Sequence, residues 1–315
     1  MNLFITTFQS VAVLLGIGTL GFWIIRKRIV PGDILGFLSP LALDIALPSL
    51  IFVNILRNFS PQESPDWWQL PLWWFFFTAV AAGLTFTTMF ISEKKTRREF
   101  AVSLFYQNGI FFPLAIIAGI YGSESPYLAS LFLFTIFYPA FFFSTYHLFF
   151  EKKDRRGLDW KKIIHPVLIV TLAGVIIRLA GVQDIIPSFI ISIFTLLGGM
   201  TIPLIMIILG GNIYTDFHKK GQLQTIEITK FVILKNIIFP LVFLGILFLV
   251  RPAYHIAFLI LLQGAVPTIT AIPLVTERSG GNRAIVNQFI VVSFIFSLIS
   301  IPMIVWLFHM FFTLP

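Results

Sequence analysis

FAVSLFYQNGIFFPLAIIAGIY, residues 100–121, is as long and apolar as a membrane crossing, yet carries two amides, a glycine and a proline at its centre. A run of roughly 20 apolar residues crosses the hydrocarbon core as one helix. At a rise of about 1.5 Å per residue, Asn108 falls about 12 Å and Pro113 about 20 Å from Phe100, on either side of the bilayer midplane. A proline there removes one helical hydrogen bond and leaves a carbonyl that lipid cannot satisfy. The stretch therefore reads as a broken transmembrane helix, and the break as the lining of a protein-walled or watered cavity.

Working outward, the same kind of run recurs along the chain. Spans are predicted near Phe4 to Ile25, Ile34 to Leu56, Trp67 to Ile91, Phe100 to Tyr121 and Tyr127 to Phe150. A second set lies near Ile163 to Ala180, Pro187 to Ile213, Phe231 to Val250, Ala257 to Thr276 and Ala284 to Phe312. A composition of 57 % hydrophobic and 11 % charged residues excludes an ordinary water-soluble domain. The expected fold is an all-α polytopic membrane protein of ten helices. Basic residues test the count, because Lys and Arg concentrate in cytoplasmic loops. Arg26, Lys27 and Arg28 follow span one; Lys94, Lys95, Arg97 and Arg98 follow span three; Lys152, Lys153, Arg155, Arg156, Lys161 and Lys162 follow span five. Lys219, Lys220 and Lys230 follow span seven, and Arg278 and Arg283 follow span nine, which places eighteen of the 22 basic residues in odd loops. Odd loops are thus cytoplasmic and both termini outside. The excess of basic side chains is a topology signal, and no nucleic-acid partner is expected.

Prolines repeat at a spacing of about half the chain. Pro48, Pro113 and Pro139 match Pro203, Pro267 and Pro302, and Ile24-Ile25-Arg26 followed by Asp33 matches Ile176-Ile177-Arg178 followed by Asp184. Two five-helix repeats are expected, 1–150 and 151–315, within one integrated membrane domain. An odd number of crossings per repeat inverts the second relative to the first, as in many secondary transporters. Helix nine, Gln263-Gly264-Ala265-Val266-Pro267-Thr268-Ile269-Thr270-Ala271-Ile272-Pro273, carries the same mixture as helix four at the equivalent place. Crossed half-helices would turn N-terminal N–H groups toward one anionic ligand.

The candidate substrate-binding residues are Gln107, Asn108, Gly109, Pro113, Gln263, Pro267, Thr268 and Thr270. The amides and hydroxyls among them can donate to a carboxylate without a buried fixed cation. Asp44, about 15 Å into helix two, is read as the one carboxylate deep in the bilayer and a coupling candidate. Lys235 is expected to reach toward the cytoplasmic interface and is a secondary candidate for substrate. With no cysteine, and His147 and His165 near helix ends, neither a metal site nor a cofactor is expected. The Gly210-Gly211-Asn212 and Gly280-Gly281-Asn282 triplets read as helix stops. No cluster of acids and bases at one depth suggests an enzyme.

Leu47-Pro48-Ser49-Leu50-Ile51, His165-Pro166, Leu197-Gly198-Gly199-Met200-Thr201-Ile202-Pro203-Leu204, Leu209-Gly210-Gly211, and Val266-Pro267-Thr268 followed by Thr276-Glu277-Arg278 and Asn282 resemble the auxin efflux carrier family of membrane transport proteins. That family includes plant auxin carriers and bacterial permeases for malate and malonate. The resemblance covers nearly the whole chain. It implies a ten-helix inverted repeat, helices four and nine crossing at their prolines, substrate beside the crossing, elevator-like movement and a homodimer. Two features depart from the family pattern: the bulky Ile110-Phe111-Phe112 before Pro113, and Pro273, which reads as a second break in helix nine. The expected function is a secondary transporter of a small organic anion in a plasma or bacterial inner membrane. Coupling to H+, coupling to Na+ as in bile-acid symporters, and uncoupled flow remain open, and a membrane sensor without transport is the rival class.

Overall fold

The computed structural model describes residues 3–122, 124–150, 166–217 and 223–312. Lys152, Lys153, Arg155, Arg156, Lys161, Lys162, His165, Lys219 and Lys220 lie outside the described residues. Among the described residues ten membrane segments follow in chain order: α1 (Leu3–Arg26), α2 (Ile34–Asn58), α3 (Gln69–Ile91), α4a (Arg97–Phe105) with α4b (Phe111–Tyr121), α5 (Pro126–Phe149), α6 (Pro166–Ala180), α7 (Ser188–Thr215), α8 (Thr225–Val250), α9a (Tyr254–Ala265) with α9b (Ile272–Arg278), and α10 (Arg283–Phe311). Among the described residues there is no strand, only an isolated bridge between Gln107 and Thr268.

Seven of these segments, α1, α2, α3, α5, α7, α8 and α10, are each long and apolar enough to cross a bilayer. The other three are shorter for local reasons. Segments four and nine are interrupted midway, and the described part of α6 begins at Pro166. Leu249, Phe37 and Leu196 are each more than 70 % exposed, and exposed apolar side chains continue along α1, α3, α6 and α7. Such surface is unfavourable in water and neutral against lipid tails.

Prolines shape the segments from within. Pro48 and Pro240 cannot donate to the carbonyl four residues earlier, and each follows a π-helical turn, Leu41–Ala46 in α2 and Leu234–Ile238 in α8. Pro139 follows a non-helical turn at 135–137 that divides α5 and sets the direction of Tyr138. Two groups of helices result. α1 packs along α7, and α2 packs against α6 and α7; α3, α5, α8 and α10 surround the two broken segments. The groups meet chiefly where α1 touches α4b and α10, and where α2 touches α5.

The Gly210-Gly211-Asn212 triplet corrects its reading as a helix stop. It lies inside the helix Thr201–Phe217 and is small because α1 passes directly over it. A Cβ on Gly210 would collide with the Gly18 carbonyl oxygen, and one on Gly21 with the Ile207 carbonyl oxygen. Lipid gives apolar helices no solvent-driven reason to associate, so close backbone contact at small residues supplies the attraction. The second triplet does stop a helix: Gly280 has φ +75°, and Gly281 N–H returns to Thr276 O at 2.8 Å beyond the end of α9b.

Gly210→Ala is expected to separate α1 from α7 and to cost about 1–3 kcal/mol or more, seen as a lower melting temperature of the purified protein in detergent. Gly16→Ala, where an added Cβ meets nothing within 4 Å, should leave melting unchanged or slightly raised.

Candidate functional site: the crossing of two broken helices

The break in segment four begins where α4a ends at Phe105 and closes where α4b begins at Phe111. Pro113 does not interrupt a helix; it occupies the first turn of α4b, where a missing N–H is tolerated. Its effect is felt four residues earlier, at the Gly109 carbonyl, which can receive nothing from residue 113. Gln263 of α9a supplies the replacement, its Nε2 donating to Gly109 O at 2.7 Å. In segment nine the break runs over 266–271, and Pro267 lies within it. Pro273 opens α9b, so the expected second break of helix nine is instead the start of its second half.

The two broken stretches satisfy each other as a minimal antiparallel ladder. Asn108 N–H donates to Pro267 O at 2.7 Å, and Ile269 N–H donates to Tyr106 O at 3.1 Å, with Gln107 opposite Thr268. Side chains complete the crossing. Gln107 Nε2 donates to Gln263 Oε1 at 3.1 Å, Thr268 Oγ1 to Ser103 O at 2.8 Å, and the Tyr138 hydroxyl to Gln107 O. A Cβ on Gly109 would collide with Gln263 Oε1, which explains a glycine at this point of closest approach.

Six of the predicted residues are thus brought together: Gln107, Asn108, Gly109, Gln263, Pro267 and Thr268. They do not share one role. Gln107, Gln263 and Thr268 spend their side chains on holding the two breaks together. Asn108 is 1 % exposed, and neither its Oδ1 nor its Nδ2 has a hydrogen-bond partner. The Ser103 hydroxyl, about one turn earlier, is likewise buried without a partner. An unsatisfied buried polar group costs about 1–3 kcal/mol. Two of them beside a helix break are the groups with unused capacity for a polar ligand. Thr270 is half-buried in the segment-nine break.

Asp44 does not join this set. It lies on an exposed face of α2, in the π-helical turn ahead of Pro48. Sequence depth located it along the helix but could not say which face it occupies. Among the described residues, the carboxylates that are buried are Glu99 and Glu227. Glu99 accepts from Asn282 N–H at 2.7 Å; Glu227 accepts from Ser92 Oγ at 2.5 Å and from Lys230 Nζ at 2.7 Å. Lys235 corrects its expected position at the interface. It is 2 % exposed, and its Nζ donates to Leu104 O at 2.9 Å and sits 5.6 Å from the Phe239 ring centroid.

A cavity of about 10 Å3, room for one water, lies among Trp74, Tyr106, Gln107 and Tyr138. A larger one of about 230 Å3 lies between α2, α7 and the α4–α5 connection, lined by Asn54, Arg57, Glu124, Thr195 and Gly198. Among the described residues no three His, Asp or Glu side chains gather as a metal site.

This geometry of two half-helix pairs closing on each other is accompanied by a sequence match. The family described as "Membrane transport protein" matches residues 6–159 and 155–305, nearly the whole chain. The chain belongs to the auxin efflux carrier family of membrane transport proteins. No curated protein matches it significantly. Membership makes this chain an integral, multi-pass membrane transporter.

For this carrier, Tyr138 and Ser103 are the site residues that sequence reasoning missed. The signal for Tyr138 was present in Pro139, which breaks α5 beside it; Ser103 had none, being one serine in an apolar run. Gln263→Leu should remove the partners of both Gly109 O and Gln107 Nε2 and destabilise the protein by about 1–3 kcal/mol for each lost bond. Asn108→Ala, with no partner to lose, should melt at or above the native temperature. Thermal unfolding of the two purified variants in detergent separates bracing residues from ligand residues.

Proposed function

We propose that this family member is a secondary transporter of small organic anions, with Asn108 at the centre of its substrate site. One observation carries the reading: a buried amide with both polar atoms unpartnered, held by backbone hydrogen bonds at the point where two broken helices cross. Such a group has a role only if something polar arrives. The N-terminal turn of α4b begins at Phe111, three residues on, and its unpaired N–H groups and partial positive charge favour a carboxylate over a cation.

Alternating access follows an elevator-type movement in this proposal. The group containing both broken segments, α3–α5 with α8–α10, slides against α1, α2, α6 and α7. The 230 Å3 cavity lies on the boundary between these groups, where Arg57 of α2 pairs at 3.5 Å with Glu124 of the α4–α5 connection. Both partners are well exposed, so breaking the pair during sliding costs little, on the order of 1 kcal/mol or less. The narrow space at the crossing fits a state in which the site is shut. Odd loops rich in Lys and Arg support a cytoplasmic side for those loops and termini outside.

Uptake of radiolabelled malate, malonate and indole acetate into proteoliposomes, under imposed voltage, proton and sodium gradients, tests the reading. Saturable flux of at least one acid is expected, falling at least about tenfold in Asn108→Ala although that variant stays folded, because loss of a ligand hydrogen bond is worth roughly that much. Asp44→Asn should leave flux unchanged if the exposed face of α2 takes no part in coupling. Absence of flux for every organic anion would overturn the reading.

A further inference from the structure

Lys235 places a buried amine against the crossing, and among the described residues no carboxylate is paired with it. Its ammonium has three donors, of which one reaches Leu104 O. Among the described residues no carboxylate lies within ion-pair distance of it. A buried cation without a counter-ion is costly unless a partner charge is supplied.

The carbonyl it holds is not an arbitrary one. In an unbroken helix Leu104 O would accept from Asn108 N–H four residues on, but that N–H is engaged by Pro267 O. Lys235 therefore takes the hydrogen bond that the break in segment four leaves open, four residues before the amide whose side chain is unpartnered. It lies within the π-helical turn Leu234–Ile238 ahead of Pro240. A π-turn shifts the side chains that follow it around the helix axis and is common at functional positions.

We propose that Lys235 is the counter-charge for the transported anion: its ammonium rests on Leu104 O in the unloaded protein and pairs with the substrate carboxylate when the site fills. This deepens the organic-anion reading and rests on it. The substrate's charge and the lysine's then enter the low-dielectric interior as a neutral pair, so acids are selected over neutral analogues of the same shape. Asn108 and Ser103 supply hydrogen bonds around the pair.

The test is a ratio, which partial loss of folded protein does not alter. Binding of indole acetate and of its neutral amide, indole acetamide, is measured on the full-length chain in detergent, together with malonate and its diamide. The wild type is expected to prefer the acid at least about tenfold, the scale of one charge-assisted hydrogen bond. Lys235→Arg should keep the preference. Lys235→Gln keeps a donor for Leu104 O but no charge, and should bind acid and amide within about threefold of each other. Lys235→Met repeats that measurement without the donor. A Gln or Met variant that still prefers the acid overturns this proposal while leaving the transport reading in place; a wild type that binds none of these acids overturns both.

Discussion

A peptide group inside a membrane has no water to turn to, and that constraint governs this structure. Segments four and nine each abandon helical hydrogen bonding for about five residues near mid-span. The penalty is removed because the two breaks lie against each other: Asn108 N–H and Pro267 O, Ile269 N–H and Tyr106 O are the donors and acceptors that two interrupted helices leave over. Neither break could persist alone in lipid. The remaining helices serve this arrangement by supplying what the short ladder lacks: a tyrosine hydroxyl from α5 for Gln107 O and an ammonium from α8 for Leu104 O.

The same reasoning divides the crossing into fixed and free parts. Gln263 is tied at both ends of its amide, to Gly109 O and to Gln107 Nε2, so it behaves as part of the backbone network it completes. Asn108 contributes its main chain to the ladder and leaves its side chain without a partner. A broken helix thus places a rigid main chain and an unsatisfied side chain at the same residue. That combination presents hydrogen-bonding groups to a ligand in a fixed geometry, with the cost of ordering already met by the fold.

How much of this could be read from the chain follows from what periodicity and charge record. The number of segments, the breaks in four and nine, and the meeting of Gln107, Asn108, Gly109, Gln263, Pro267 and Thr268 were legible because apolar length, proline and glycine act locally on the backbone. The exact place of each break was not: Pro113 and Pro273 sit in the first turns of the helices that follow, and the chain opens several residues ahead of Pro113. Faces were harder still. Asp44 and Lys235 occupy comparable apolar contexts in sequence, yet one lies on an exposed face of α2 and the other is enclosed. Both lie inside π-helical turns, before Pro48 and Pro240, where a count at 3.6 residues per turn does not give the face. The Gly210 triplet misled for a related reason, since glycine serves both to end a helix and to admit another, and only the neighbour decides which.

Charge distribution ties the architecture to the proposed transport. Among the described residues the two buried carboxylates are already engaged, Glu99 with the Asn282 N–H and Glu227 with Ser92, Thr96 and Lys230. Lys235 is engaged by a neutral carbonyl and the face of the Phe239 ring, and among the described residues by no carboxylate. The interior of the group proposed to move therefore holds carboxylates already provided with partners at Glu99 and Glu227, and an amine with hydrogen-bonding capacity to spare beside the crossing. An anion would meet a countercharge, an unpartnered amide and the N-terminal end of α4b, three features that all lower the free energy of the same sign of ligand.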